Sequence, residues 1–201
     1  MSSASHSPRW GLFGGTFDPP HLGHLAAAEA VRDRLGLDKV VFMVAGEPWQ
    51  KAGRPVPLTS GATRVEMVRA LIEGVEGLEV GDDEVRRGGP TYTVDTLRDW
   101  HAARPEVKVF LVLGADAATN FGTWREPHEV LALSTLVVVS RPGVARLDLF
   151  AGAHAEWVEM EPVDVSSSAI RDSVAAGGAP FGTTAAVARL IADRRLYRGA
   201  Q

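Results

Sequence analysis

Eleven residues constrain this chain more than any others: Gly14-Gly15-Thr16-Phe17-Asp18-Pro19-Pro20-His21-Leu22-Gly23-His24. A short apolar run, Trp10 to Phe13, precedes them. An amphipathic helical pattern follows, with Leu25, Ala28, Val31 and Leu35 on one face. The order is strand, glycine turn, then a helix that begins through two histidines. Glycines let a backbone approach a ligand closely, and a helix start offers N–H groups and a positive dipole end to an anion. Imidazoles at 21 and 24 lie on neighbouring parts of that first turn. A turn or a cap explains each piece alone, but not the whole set within so short a stretch.

The rest of the composition sets bounds. A chain of 201 residues with 45% hydrophobic and 23% charged content fits one globular domain with a real core. A loose tail is expected over residues 1–8, and a single domain over 9–201. The net charge of −4 argues against a general nucleic-acid binder. With no cysteine there is no thiolate metal site and no thiol nucleophile, and a cytoplasmic protein is expected. No apolar run approaches the roughly 18 residues of a membrane span.

Along the chain, strands and helices alternate. Arg9–Phe13, residues 39–44, 78–80 with an extension at Glu84-Val85, 107–113, 135–139 and 157–160 read as strands. Gly36 suits a helix C-terminus, Thr59 or Ser60 a helix start, and Thr93 an N-cap. This alternation predicts an α/β fold, a Rossmann-like doubly wound parallel sheet of about five strands with a helical C-terminal end. Ligands in such folds bind at the carboxyl edge of the sheet.

Several segments fall on that edge. The loop Ala45–Leu58 carries Lys51 and Arg54, either solvated charges or phosphate contacts; its position favours Lys51 as a contact. Tyr92 and Thr93 before a helix start could hold a flat anionic heterocycle, or could be a packed ring and a cap. Asp116, after Gly114, could receive a ribose or cap the next helix. Trp124 could stack on a ligand ring or pack half-buried. Ser166-Ser167-Ser168 with Arg171 one turn in is either a serine cap with a surface arginine or a second anion site of the same physical kind as the first.

Two phosphate-seeking turns near one crevice suggest a nucleoside triphosphate held at both ends. No residue set suits a covalent nucleophile, so direct displacement at phosphorus fits better, and it needs alignment and charge neutralisation. His21, His24, Lys51 and Arg171 would supply the donors. Mg²⁺ would bridge the triphosphate, with no all-protein metal cage.

Residues 14–19 with 21–24 resemble the signature of the His-x-Gly-His nucleotidyltransferase superfamily. Ser166 to Arg171, Arg87 to Leu97, Gly114-Ala115-Asp116, Thr123-Trp124, Arg141-Pro142-Gly143 and Leu196-Tyr197-Arg198 resemble motifs of one of its members, the bacterial nicotinate mononucleotide adenylyltransferases. The resemblance implies transfer of AMP from ATP to nicotinate mononucleotide, giving deamido-NAD and pyrophosphate. It implies ATP contacts from Gly14, Gly15, Thr16, Phe17, Asp18, Gly23, Gly114, Asp116, Ser167 and Ser168. It implies acceptor contacts from Tyr92, Thr93, Val94, Trp124, Arg125 and Arg141, with Trp124 on the pyridine ring. The partners expected are ATP and the mononucleotide, not nucleic acid or membrane, and a homo-oligomer is compatible. The rival readings are an enzyme of the same fold acting on nicotinamide mononucleotide or phosphopantetheine, and a non-catalytic nucleotide-binding regulatory module.

Overall fold

The glycine turn closes an inner strand of the sheet. A computed structural model describes residues 7–48, 58–143, 146 and 148–198. In chain order its elements are β1 (Arg9–Gly15), α1 (Leu22–Leu35), β2 (Lys39–Val44), β3 (Glu47–Pro48), α2 (Gly61–Ile72), β4 (Leu78–Gly81), α3 (Asp83–Arg87), β5 (Pro90–Thr91) and α4 (Thr93–Ala103). There follow β6 (Lys108–Gly114), α5 (Ala115–Thr119), α6 (Pro127–Leu133), β7 (Thr135–Ser140), β8 (Ala155–Glu159), α7 (Ser167–Ala175) and α8 (Ala185–Asp193). The main sheet has six strands in the order β4-β2-β1-β6-β7-β8. Every pairing in it is parallel. Strand order reverses between β1 and β6, which opens a crevice at their carboxyl ends.

Alternate residues of each inner strand enter opposite cores. Phe13, Phe42, Phe110 and Val112 face the layer that includes Val31, Val68, Ile170 and Ile191. Leu12, Val41, Met43 and Leu111 face Val94, Leu97, Trp100 and Val130. Burial on both faces explains why these strands read as continuous apolar runs. No helix among the described residues is long and apolar enough to cross a membrane.

The structure corrects the sequence reading in several places. The main sheet has six strands against the expected total of about five, and each falls on one of the six segments read as strands. Glu84-Val85 belongs to α3, not to a strand. Asp83 and Glu84 at its start and Arg86 and Arg87 at its end suit the helix dipole. Thr93 is the first residue of α4, and Tyr92 holds the cap position without a side-chain hydrogen bond. The 45–58 loop contains the short strand β3, which pairs with β5; its remainder, with Lys51 and Arg54, lies outside the described residues. So do residues 1–6 of the expected tail. By contrast, Gly36 ends α1 in a left-handed conformation, and Ser60 caps α2 through the Thr63 N–H, both as expected.

One interior side chain fastens the carboxyl edge. Arg64, on α2, is 1% exposed. Its guanidinium donates to the carbonyls of Thr59 at 2.9 Å, Thr16 at 2.9 Å, Ala45 at 2.6 Å and Gly46 at 2.9 Å. A buried carbonyl that loses its donor costs about 1–3 kcal/mol. Arg64→Leu should therefore lower unfolding free energy by at least about 3 kcal/mol in urea titrations. Arg64→Lys should recover only part of that loss, because an ammonium cannot reproduce the planar fork.

Candidate active site

The phosphate-seeking turn is built from inside. A Cβ on Gly15 would lie 2.6 Å from the Phe17 ring, whereas one on Gly14 would meet nothing within 4 Å. Gly14 thus presents open backbone. Phe17 is 2% exposed and its ring meets that of His24 edge-on at 5.1 Å. It supports the histidine from below, and its side chain is not placed to touch a ligand. His24 Nδ1 accepts the His21 N–H at 3.2 Å, so the neutral ring carries its proton on Nε2. The two imidazoles lie 3.7 Å apart. Burial lowers His21 from its ordinary 6.5 to about 4, so it is neutral at pH 7. Its Nδ1 is buried without a partner in the protein. The helix start is less open than the sequence implied: the Leu22 N–H donates to the Gly182 carbonyl at 2.8 Å, because the C-terminal segment packs there.

That packing joins the two anion motifs. Ser166 caps α7 through the Ala169 N–H, 3.1 Å away. Ser167 Oγ donates to the Pro19 carbonyl at 2.8 Å, across 148 residues of chain. Arg171 donates to the Asp18 carbonyl at 2.7 Å and to Ser168 Oγ at 3.1 Å. The Thr183 hydroxyl donates to the Pro20 carbonyl at 3.0 Å. Asp18 was expected among the ATP contacts, but its carboxylate is 4% exposed and turned inward. It accepts from the Tyr197 hydroxyl at 2.6 Å and from the Thr59 N–H at 3.3 Å. Burial first, then the Asp18 charge, push the Tyr197 phenol upward, so it remains a protonated donor.

Beyond Gly14 the crevice opens into a cavity of about 190 Å³. An apolar cavity of about 150 Å³ takes a benzene ring, so this one is ring-sized. Gly15, Thr16, Met43, Tyr92, Thr93 and Gly114 lie on its wall, as do Trp124 and Arg125. Trp124 is half-buried against Phe121, ring centroids 5.3 Å apart, and its Nε1 is buried without a partner. The Arg125 guanidinium lies 4.8 Å over the Tyr92 ring. No side chain caps the start of α4. Val94 is fully buried, its side chain in the core cluster of Leu97 and Trp100.

The expected site residues therefore separate into groups. Gly14, Gly15, Thr16, Tyr92, Thr93, Gly114, Trp124 and Arg125 share the cavity. Ser167 and Arg171 are bonded to the loop that leads into His21, with Gly23 and His24 following in α1. Asp116, exposed in the first turn of α5, and Arg141, exposed after β7, are not on the cavity wall. Two residues went unread in the sequence. Arg64 shares the stripe of Val68 and Leu71, where a cation among apolar residues was the available signal. Glu84 was hidden by the strand reading.

Comparison with known proteins gives one direction. Residues 12–173 match the cytidylyltransferase-like family. A probable nicotinate-nucleotide adenylyltransferase of Frankia casuarinae is 44% identical over 192 residues, covering 93% of this chain and 99% of that one. Its counterpart in Corynebacterium kroppenstedtii is 41% identical over 174 residues, covering 85% and 82%. Among solved structures, nicotinic acid mononucleotide adenylyltransferase of Plasmodium falciparum, complexed with NaAD, superposes with a TM-score of 0.79 at 15% identity, covering 94% of this chain and 97% of that one. At that identity the likeness is one of fold.

His21 gives the site a pH signature. Between about 4 and 6.5 the unfolded chain binds a proton at this histidine that the folded chain does not. Stability should fall as pH drops through that window, and His21→Asn should lack this part of the fall. Urea midpoints of both proteins at pH 7 and pH 4.5 measure it.

Proposed function

This chain belongs to the cytidylyltransferase-like family and, within it, to the nicotinate-nucleotide adenylyltransferases, and on that premise we propose that it transfers AMP from ATP to nicotinate mononucleotide. The products are deamido-NAD and pyrophosphate. The acceptor's phosphate oxygen attacks the α-phosphorus in line. A new P–O bond forms as the bond to the β-phosphate oxygen breaks, and pyrophosphate leaves. Such a reaction is accelerated by alignment and by charge neutralisation.

The observation that carries this reading is the 2.7 Å bond from Arg171 to the Asp18 carbonyl. It brings the serine–arginine motif onto the histidine turn, as a polyphosphate spanning the two would require. His24 Nε2–H and the His21 ring offer uncharged hydrogen-bonding groups, and Arg171 adds a fixed positive charge. Lys51 remains a proposed phosphate contact. The ring-sized cavity beside this clamp suits the pyridine of the mononucleotide, with Trp124 stacking on it. The uncapped N–H groups of α4 would receive its carboxylate, where an amide would present its own N–H₂ to other donors. Asp116 and Arg141, exposed beyond the wall, would be met by the nucleotide parts that extend out of the cavity. Among the described residues no cluster of three His, Cys, Asp or Glu side chains is arranged to hold a metal. Mg²⁺ would enter as the ATP complex, held by phosphate oxygens and water.

Pyrophosphate release from ATP, followed with nicotinate mononucleotide, nicotinamide mononucleotide and phosphopantetheine in parallel, tests the reading; the first should be turned over best. Absence of turnover with all three would favour a non-catalytic nucleotide binder. His24→Ala should lower kcat at least about 100-fold with the thermal melt preserved. Trp124→Ala should raise KM for the mononucleotide about tenfold or more while KM for ATP stays within about twofold, stacking on an aromatic ring being worth about 1–3 kcal/mol. Equal losses for both substrates would count against stacking.

A further inference from the structure

One buried acid has no part in that reaction. Glu84 is 8% exposed, yet it lies on the wall of the acceptor cavity. The Thr96 hydroxyl donates to its Oε1 at 2.7 Å, whereas the Thr91 hydroxyl donates to the Glu47 carbonyl at 3.4 Å. Arg87 donates to Thr96 Oγ1 at 3.1 Å, so that oxygen accepts from the guanidinium while giving its own proton to Glu84. A second Arg87 nitrogen is held by Asp99 at 2.7 Å. The backbone is pinned as well: a Cβ on Gly46 would stand 2.6 Å from the Glu84 carbonyl oxygen, so α3 is pressed against the chain leaving β2.

Thr91 ends β5 and Thr96 lies in the first turn of α4. Between them stand Tyr92 and Thr93, the segment whose N–H groups face the cavity end of α4. The Glu84 carboxyl thus holds the α4 side of this segment through Thr96, and the Thr91 hydroxyl ties its β5 side to Glu47. The Thr96 hydroxyl occupies a lone pair of Glu84. Among the described residues, the hydrogen-bond partner of the Glu84 carboxyl lies on α4, not on the histidine turn or Arg171.

We propose that Glu84 is a positioning residue for the acceptor: it sets the Tyr92–Thr93 segment so that the start of α4 receives the ring substituent of the mononucleotide, and it leaves ATP binding untouched. This rests on the functional reading above. Its action runs through accepted hydrogen bonds, so the isosteric amide, whose oxygen still accepts from Thr96, preserves it. A lost hydrogen bond of this kind is worth about tenfold in an equilibrium constant.

Steady-state kinetics of Glu84→Gln, Glu84→Ala and Thr96→Val, with thermal melts alongside, decide the matter. Glu84→Ala and Thr96→Val should each raise KM for nicotinate mononucleotide about tenfold, with kcat and KM for ATP within about twofold. Glu84→Gln should stay within about threefold of the parent on every constant and keep the parent's preference between the nicotinate and nicotinamide mononucleotides. Equal rises in both KM values, no rise in either, or a Gln variant as impaired as the Ala variant would overturn the proposal. If Glu84→Ala fails to fold, the Thr96→Val split against Glu84→Gln decides it. If the parent turns over a different acceptor, the functional reading falls, and the same split measured with that acceptor still decides the role of Glu84.

Discussion

A buried guanidinium is the fastening on which the rest of the carboxyl edge depends. Arg64 collects carbonyls from three separate segments: the glycine turn at Thr16, the chain leaving β2 at Ala45 and Gly46, and the approach to α2 at Thr59. Each segment is irregular, so its backbone has no ladder to satisfy it. A planar fork of donors satisfies all of them at once and sets their mutual distances. Burial works against the charge, and the nearby Asp18 carboxylate works for it. The phosphate end and the acceptor end of the crevice therefore share one footing. The Ala45 N–H, which donates to the Gly15 carbonyl at 2.9 Å, adds a second tie at the same place.

From that footing the two ends diverge in character. The phosphate end is made of backbone carbonyls gripped from the far end of the chain by Ser167, Arg171 and Thr183. The acceptor end is aromatic and narrow, with Trp124, Tyr92 and Arg125 around a ring-sized space. The motif residues Phe17 and Asp18 belong to neither surface. One is the floor under His24, the other an internal anchor for Tyr197. A sequence signature can thus mix groups that meet a ligand with groups that only hold those groups still, and burial tells them apart.

The fold was legible because its signals are local and repeated. Continuous apolar strands alternate with helices, and all six strands of the main sheet fall on segments read as strands. The phosphate turn was legible for the same reason: strand, glycines and histidines follow one another without a gap. Residues whose partners are distant in sequence were not legible. Tyr197 meets Asp18 across 179 residues; each lies in a motif, but neither motif announces the contact. Arg64 reads as an odd charge on an apolar stripe until its four carbonyls are seen. Glu84 was lost through its neighbours, since a short helix of charged residues carries too few apolar positions to show a period. Asp116 and Arg141 follow strand ends, where ligand contacts collect, but strand ends alone do not say which way a side chain faces.

The bond between Tyr197 and Asp18 bears on how the chain comes to life during synthesis. The sheet has all its strands by Glu159, well before the clamp is complete. Arg171 and then Tyr197 emerge afterwards, and each closes onto the loop that was made first. A nascent chain with a finished sheet still lacks the partner that holds Asp18 inward. The turn made earliest is thus completed by residues made late.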